Sequence, residues 1–169
     1  MQRTVIPALK EQIARTAAER PGASGRNSAA CAAAIAKAEE VWKKGRFKEA
    51  RDGYAQAIKS DPLSYPAALG LAKAWEKTDA TKGGQQKAFD AYKTACLLRP
   101  SAVSTFLAAG SLAAKLGLNL QAVEIYSRAV AANPASLDAI DGLIRALQKS
   151  GGKAKVAEAY QRYRRSLKK

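Results

Sequence analysis

Few residues in this 169-residue chain have the types and spacing that catalysis requires. The sequence contains no histidine, which removes the usual general base at neutral pH, the imidazole metal ligand and the histidine-activated nucleophile. The two cysteines, Cys31 and Cys96, do not form a Cys-x-x-Cys motif, and they favour two free thiols over a zinc site or a disulfide framework. Free thiols are typical of a reducing, intracellular compartment, either the cytoplasm or the interior of an organelle.

One acidic pair has a spacing that could support acid–base chemistry. Asp138 and Asp141 are three residues apart and would share one face of a helix, but exposed carboxylates in such an arrangement are usually solvated. The sequence has neither a phosphate-binding Gly-x4-Gly-Lys motif nor a dinucleotide-binding glycine pattern. We therefore predict that the protein is not an enzyme and uses no metal or cofactor.

Positive charge is the strongest chemical bias of the chain. Lys and Arg number 29 against 14 Asp and Glu, for a formal net charge of +15, which favours encounters with RNA, acidic proteins or anionic lipid. Near the C-terminus seven basic residues accompany a single acid, Glu158. They are either a polyanion-binding site or a solvated outer face: Lys153, Lys155, Arg162, Arg164, Arg165, Lys168 and Lys169.

The composition indicates that helices must position these groups. Alanine supplies 38 residues, whereas valine and isoleucine together supply 13, so strong helix formers outnumber strand formers. The length and an apolar content of 47% fit one domain with a core of small side chains. No apolar run reaches the roughly 18 residues of a membrane span. We predict an all-α protein.

A repeated pattern groups the helices into similar units. Four tyrosines, Tyr54, Tyr92, Tyr126 and Tyr160, are spaced 38, 34 and 34 residues apart. Around the first three, the segments 50–62, 88–100 and 122–134 share a small residue, an acid, the tyrosine, an alanine and a proline. Such a period is typical of stacked supersecondary units rather than of one globular core.

Stop signals predict two antiparallel helices in each unit. In three units the first helix should stop at a glycine in the left-handed conformation, and in three the second helix should stop before a proline. These residues are Gly45, Gly117 and Gly151, and Pro62, Pro100 and Pro134. In the second unit Gly70 is aligned with Gly110 of the third, and residues 78–86 then carry four extra residues.

The unit, with its small-x3-aromatic-x2-Ala pattern and terminal proline, resembles the tetratricopeptide repeat. The resemblance covers residues 31–169 in four copies, 31–62, 63–102, 103–136 and 137–169. In the first helices, the family's Trp-x2-Leu-Gly is matched only as Pro66, Leu69 and Gly70. The resemblance implies antiparallel helix hairpins stacked as a right-handed α-solenoid, and non-catalytic work in protein assembly.

The resemblance also implies where a partner would bind, because the first helix of each repeat lines the concave face in this family. Both tryptophans, Trp42 and Trp75, map to this face, where they are either partner contacts or packing residues between hairpins. The mapping also includes Ala67 and Ala68 of the second repeat. The predicted partner groove is Ile35, Glu39, Trp42, Leu71, Trp75, Leu107, Ser111, Asp138, Asp141 and Arg145.

One function of such repeats is not expected here. Repeats that hold the C-terminal carboxylate of heat-shock chaperones use Lys, Asn and Arg side chains as donors. The corresponding residues include Ile35, Glu39 and Ala108, which cannot donate such bonds, and Ser104, which offers only a hydroxyl.

The N-terminal residues differ from the repeats. In residues 1–20, Ile6, Leu9, Ile13 and Ala17 follow helical spacing, which predicts an amphipathic helix. Residues 21–30 are interpreted as a linker. The helix is interpreted as a docked cap or a binding arm in preference to an organelle presequence, because Glu11 and Glu19 are atypical of presequences.

Two functional hypotheses follow from these patterns. The first is a scaffold that binds a partner helix or extended peptide in the concave groove, within a larger assembly. The alternative is a basic helical-repeat protein attached through its C-terminal helix to RNA or to a ribonucleoprotein such as an organellar ribosome.

Overall fold

The computed structural model describes residues 27–151 and 154–167, which form eight α-helices and no strand. The predicted all-α class is therefore confirmed. The predicted helix of residues 1–20 lies outside the described residues, and the first described helix begins at Ser28, inside the segment assigned to a linker. The helices are α1 (Ser28–Lys43), α2 (Phe47–Ser60), α3 (Tyr65–Thr78), α4 (Lys82–Leu98), α5 (Val103–Lys115), α6 (Asn119–Ala132), α7 (Leu137–Lys149) and α8 (Ala154–Ser166).

Consecutive helices pair as four hairpins, α1–α2, α3–α4, α5–α6 and α7–α8. In three of them the first helix ends at a glycine with positive φ, namely Gly45 at 74°, Gly117 at 76° and Gly151 at 72°. This left-handed conformation is the one in which a side chain is strained and glycine is not. The predicted glycine stops are confirmed.

Between hairpins the chain turns at the residue that precedes a proline. Asp61, Arg99 and Asn133 all leave the helical conformation, with φ of −144°, −137° and −145°. The proline ring excludes the helical conformation from the residue before it. The second helices therefore end where the proline positions predicted.

Tyrosines connect each hairpin to the next. The Tyr54 ring on α2 lies against Gly70 of α3, and the Tyr126 ring on α6 lies against Gly142 of α7, so close that a Cβ atom on either glycine would overlap the ring. Both tyrosines are 6% exposed. The sequence predicted this role for the tyrosines, and it stacks the hairpins into a solenoid.

The stack has an inner and an outer side. The first helices of neighbouring hairpins pack directly on each other, α1 on α3 and α5 on α7. Within the described residues, no two second helices contact each other to that extent. The first helices therefore line the side on which the hairpins converge.

The four extra residues of the second hairpin lie at the start of α4. Asp79 Oδ1 accepts hydrogen bonds from the Thr81 backbone N–H at 2.9 Å and from the Thr81 hydroxyl at 2.6 Å. Thr81 Oγ1 in turn accepts from the Gly84 N–H at 3.2 Å and caps the helix. The insertion is taken up as helix, because α4 has 17 residues where α2 and α6 have 14.

Candidate partner-binding surfaces

The side chains on the inner side form three rows that recur with the 34, 38 and 34 spacing of the tyrosines. We call these rows together the inward face. The half-buried row is Ile35, Leu69, Leu107 and Asp141; the exposed row is Glu39, Lys73, Ser111 and Arg145; and the lysine row is Lys43, Lys77, Lys115 and Lys149.

The structure brings seven of the predicted groove residues together on or beside this face. Ile35 and Leu107 are half-buried against the core, while Glu39, Ser111 and Arg145 are exposed. Asp138 is exposed in the first turn of α7, and Asp141 lies one turn further along the same helix. In these hairpins the predicted register is the one that the structure has.

In α3 the predicted register is wrong by two residues. Ala67 and Ala68 are 0% and 1% exposed, so neither can contact a partner, and Leu71 packs with Ala38 and Tyr54 between hairpins. The inward residues of α3 are instead Leu69 and Lys73. The cause is Gly70, which the sequence aligned with Gly110, whereas its contact with the preceding tyrosine makes it the equivalent of Gly142.

The same shift moves Trp75 away from the inward face. Its ring lies between two cations from second helices, with Arg51 Cζ of α2 at 4.4 Å and Lys87 Nζ of α4 at 4.6 Å from the ring centroid. Such contacts are favourable because the ring face is electronegative. Trp75 therefore packs among the second helices, and a partner on the first helices would not reach it.

Trp42, the other predicted anchor, is half-buried near the end of α1. Its ring packs edge to face on Phe47 of α2, with centroids 4.8 Å apart and an interplanar angle of 68°. This geometry is the preferred one for an aromatic pair. Trp42 thus braces the first hairpin and leaves part of its ring accessible.

The junction tyrosines reach the inward face with their hydroxyl ends. Tyr92 donates a 2.5 Å hydrogen bond to Glu76 Oε2 on α3, and burial, followed by this carboxylate, raises the pKa of Tyr92 well above its usual range. Burial also raises the pKa of Tyr54, with a smaller contribution from the negative charge of Glu39. These phenols stay neutral and form a polar floor between the rows.

The lysine row was not recognised as a set from the sequence, although its spacing equals that of the tyrosines. Each member lies in the last turn of a first helix, where an ammonium group complements the helix dipole. In the part of the chain described here, Lys77, Lys115 and Lys149 are exposed and form no ion pair.

Two open cavities adjoin this row at the hairpin turns. One of about 340 Å³ is lined by Lys77 and by residues 45–49. The other, of about 400 Å³, is lined by Lys82, Lys115 and Gly117 among others. Both cavities are bordered by basic side chains, so this edge of the inward face favours acidic groups.

The predicted polyanion site lies partly outside the described residues, which exclude Lys153, Lys168 and Lys169. Within α8, Lys155, Arg162 and Arg165 are exposed. Arg164 is not available to a ligand, because its guanidinium pairs with Asp141 of α7, Nη2 to Oδ2 at 2.8 Å. The structure thus joins one residue of the predicted polyanion site to one residue of the predicted groove.

Neither cysteine offers a reactive thiol. Both are free and buried, and burial raises the pKa of the Cys96 thiol to about 12. The described residues contain no group of three or more side chains that could hold a metal ion. None of the described helices is long and apolar enough to span a membrane.

Several solved tetratricopeptide-repeat structures are similar to this fold. MamA matches with a TM-score of 0.67 at 18% identity, over 96% of this chain and 86% of that chain. YrrB, described as a TPR protein with an unusual peptide-binding site, matches with a TM-score of 0.65 at 19% identity, over 79% and 66%. The first TPR of Spaghetti (RPAP3), bound to the HSP90 peptide SRMEEVD, matches with a TM-score of 0.62 at 20% identity, over 75% and 97%.

Similarity in sequence is confined to the second half of the chain. The family described as bacterial transcriptional activator domain matches residues 93–169, from within α4 onward. No curated protein matches the chain. Together with the eight helices, the structural similarities show that the chain has the tetratricopeptide-repeat fold, a solenoid of four repeats.

Proposed function

We propose that this protein is a non-catalytic interaction scaffold whose inward face binds a helix or an extended segment of a partner protein. The observation that carries the proposal is the composition of that face, in which a half-buried row with Ile35, Leu69 and Leu107 runs beside an exposed row and a lysine row. An apolar strip gives a partner area to bury, and flanking charges give register and specificity. Similar structures are peptide complexes, with the HSP90 peptide SRMEEVD or the HSP70 peptide SGPTIEEVD, which supports the use of this face.

The charges of the inward face define the partner further. The lysine row and the two basic cavities favour a segment whose acidic side chains point to the hairpin turns. The segment differs from a chaperone tail, because Ile35 and Glu39 of α1 and Ala108 of α5 offer no donors to a terminal carboxylate. We expect an internal acidic segment with apolar residues between the acids.

Selection from a random 15-residue peptide library tests this proposal, followed by isothermal titration with the enriched peptides. The test variant is Lys73→Glu/Lys115→Glu, which reverses charge on the inward face. The matched control, Lys59→Glu/Lys93→Glu, makes the same charge change on exposed residues of second helices. Enriched peptides should be acidic, and the test variant alone should weaken them at least about tenfold. Equal affinities for both variants, or no enrichment, would contradict the proposal.

Attachment to RNA through α8 is a second candidate, favoured only by the exposed Lys155, Arg162 and Arg165. With three phosphate contacts, the slope of log affinity against log salt for a single strand would be about −2. A 20-nucleotide RNA titrated at several salt concentrations tests this value. The variant Arg162→Glu/Arg165→Glu should flatten the slope, and a flat slope in the unmodified protein would remove this candidate.

A further inference from the structure

The last helix carries an apolar stripe that no described helix covers. Val156, Tyr160, Tyr163 and Leu167 are spaced by four, three and four residues and lie along one side of α8. We call these four residues the α8 stripe. By the repeat spacing, its first three members are equivalent to Ala50, Tyr54 and Ala57 of α2, and to the corresponding residues of α4 and α6.

The equivalent stripes of the first three hairpins are all buried by the next hairpin. Their alanines are 0% exposed and their tyrosines 2% to 6%. In the α8 stripe, by contrast, Val156 is 46%, Tyr163 38% and Leu167 39% exposed. The side chains are also larger, since Val156 and Tyr163 replace alanines. An end that only needed solubility would carry polar residues here.

The opposite end of the array has polar residues at the corresponding positions. On α1, exposed Lys37 and Glu40 occupy positions that Leu71 and Ala74 occupy on α3. On α5 and α7 the same positions hold the buried Ala109 and Leu112, and Leu143 and Ala146. Because α1 lacks an apolar receiving face, a second copy of the chain does not match the α8 stripe through its first hairpin.

We propose that the α8 stripe docks an amphipathic, acidic α-helix of another protein. The three internal junctions define the contact chemistry, because the covering helices place small residues three apart, such as Ala67 and Gly70 on α3 or Ala139 and Gly142 on α7. The docking helix therefore has small residues at i and i+3 and apolar residues at i+4 and i+7.

The charge of α8 determines the flanks of that helix. Lys155 and Arg162 are exposed and lie beyond the small residues Ala159 and Ser166, on the side of the stripe away from α7. On the other side Arg164 is paired with Asp141. Acidic residues on the flank of the docking helix would reach Lys155 and Arg162, whereas a basic flank would be repelled. Tyr163 is held in place by a 3.2 Å hydrogen bond from its hydroxyl to the Pro134 carbonyl oxygen, so the stripe is ordered before docking.

The probe for this site is a peptide built from the chain's own covering helix. It has the sequence of residues 136–150 with Arg145→Glu and Lys149→Glu, is labelled with fluorescein, and is held helical by a lactam bridge between positions 144 and 148. Its binding to the full-length protein is followed by fluorescence anisotropy. The test variant is Val156→Glu/Leu167→Glu, and the control is Leu63→Glu/Leu120→Glu, which changes leucines that are 38% and 67% exposed off the stripe. Circular dichroism verifies that both variants remain helical.

The proposal requires saturable binding that weakens at least about tenfold in the test variant and not in the control. The peptide that retains Arg145 and Lys149 should bind several-fold more weakly than the acidic one. Three results would overturn the proposal: equal binding to both variants, a concentration-dependent protein mass that Val156→Glu/Leu167→Glu abolishes, which would make a second copy the occupant, or no binding of the acidic peptide at 100-fold excess.

Discussion

Arg164 on α8 and Asp141 on α7 form a two-point ion pair across the last hairpin, with Nη2 donating to Oδ2 at 2.8 Å and Nε lying against Oδ1. Both side chains are about one-third exposed, at 31% and 30%. A bidentate geometry fixes the relative orientation of two helices better than a single contact does. Because Asp141 belongs to the half-buried row, the pair sets the position of α8 relative to the inward face.

Removing either partner should lower stability without changing the fold. We expect Arg164→Gln and Asp141→Asn each to reduce the thermal midpoint by a few degrees, and the double variant to reduce it by less than the two effects together, because the interaction is already lost. Circular dichroism melting of the four proteins measures this coupling. Arg165→Gln, an exposed neighbour, is the control, and strictly additive shifts would show that the pair contributes nothing.

The tyrosine junctions predict opposite effects for two glycine substitutions. Gly142→Ala places a methyl group into the Tyr126 ring and should cost about 1–3 kcal/mol in the free energy of unfolding, as overpacking does. Gly83→Ala on α4 meets only Thr81 Oγ1 at 3.7 Å and should stabilise by about 0.5 kcal/mol through helix propensity. Urea denaturation monitored by tryptophan fluorescence compares them. Equal effects would place the ring elsewhere.

Alkaline pH should destabilise the protein through Tyr92. Its pKa is raised in the folded state by burial and by Glu76, so above the ordinary tyrosine value of about 10 the unfolded state loses its proton first. Unfolding is then favoured, and stability is present below about pH 10 and falls above it. Denaturation at pH 8, 10 and 11 should show a smaller fall for Tyr92→Phe than for the unmodified protein. Identical slopes would remove Tyr92 as a source of the pH dependence.

Trp75 should affect stability more than partner binding. Trp75→Ala removes a ring packed between Arg51 and Lys87 and should cost about 3 kcal/mol. Trp75→Phe keeps an aromatic surface between these cations and should bind the selected peptides as well as the unmodified protein does. Isothermal titration measures this affinity. A tenfold loss in Trp75→Phe would return Trp75 to the binding surface.

The sequence predicts the hairpins well because their boundaries depend on local chemistry. A glycine such as Gly117 stops a helix through its own backbone conformation, and a proline such as Pro134 excludes helix at the residue before it. The tyrosine spacing then sets the repeat. None of these signals requires knowledge of distant contacts.

The register of α3 and the Arg164–Asp141 pair are of a different kind. Each first helix has two positions for small residues, one facing the tyrosine of the preceding hairpin and one facing its own partner helix, and Gly70 and Gly110 occupy different ones. Composition alone does not distinguish them. The ion pair depends on the angle at which α8 crosses α7, which the spacing of charges along one helix does not contain.

The contact between a tyrosine and a small residue also makes the junctions interchangeable. If residues 103–136 were removed, Tyr92 would meet Gly142 in the same geometry in which Tyr54 meets Gly70, and no new core would be needed. Whole hairpins can be lost or duplicated at such junctions while the rest of the fold is kept. The length of segment that the inward face can hold is therefore a quantity that changes in steps of one repeat.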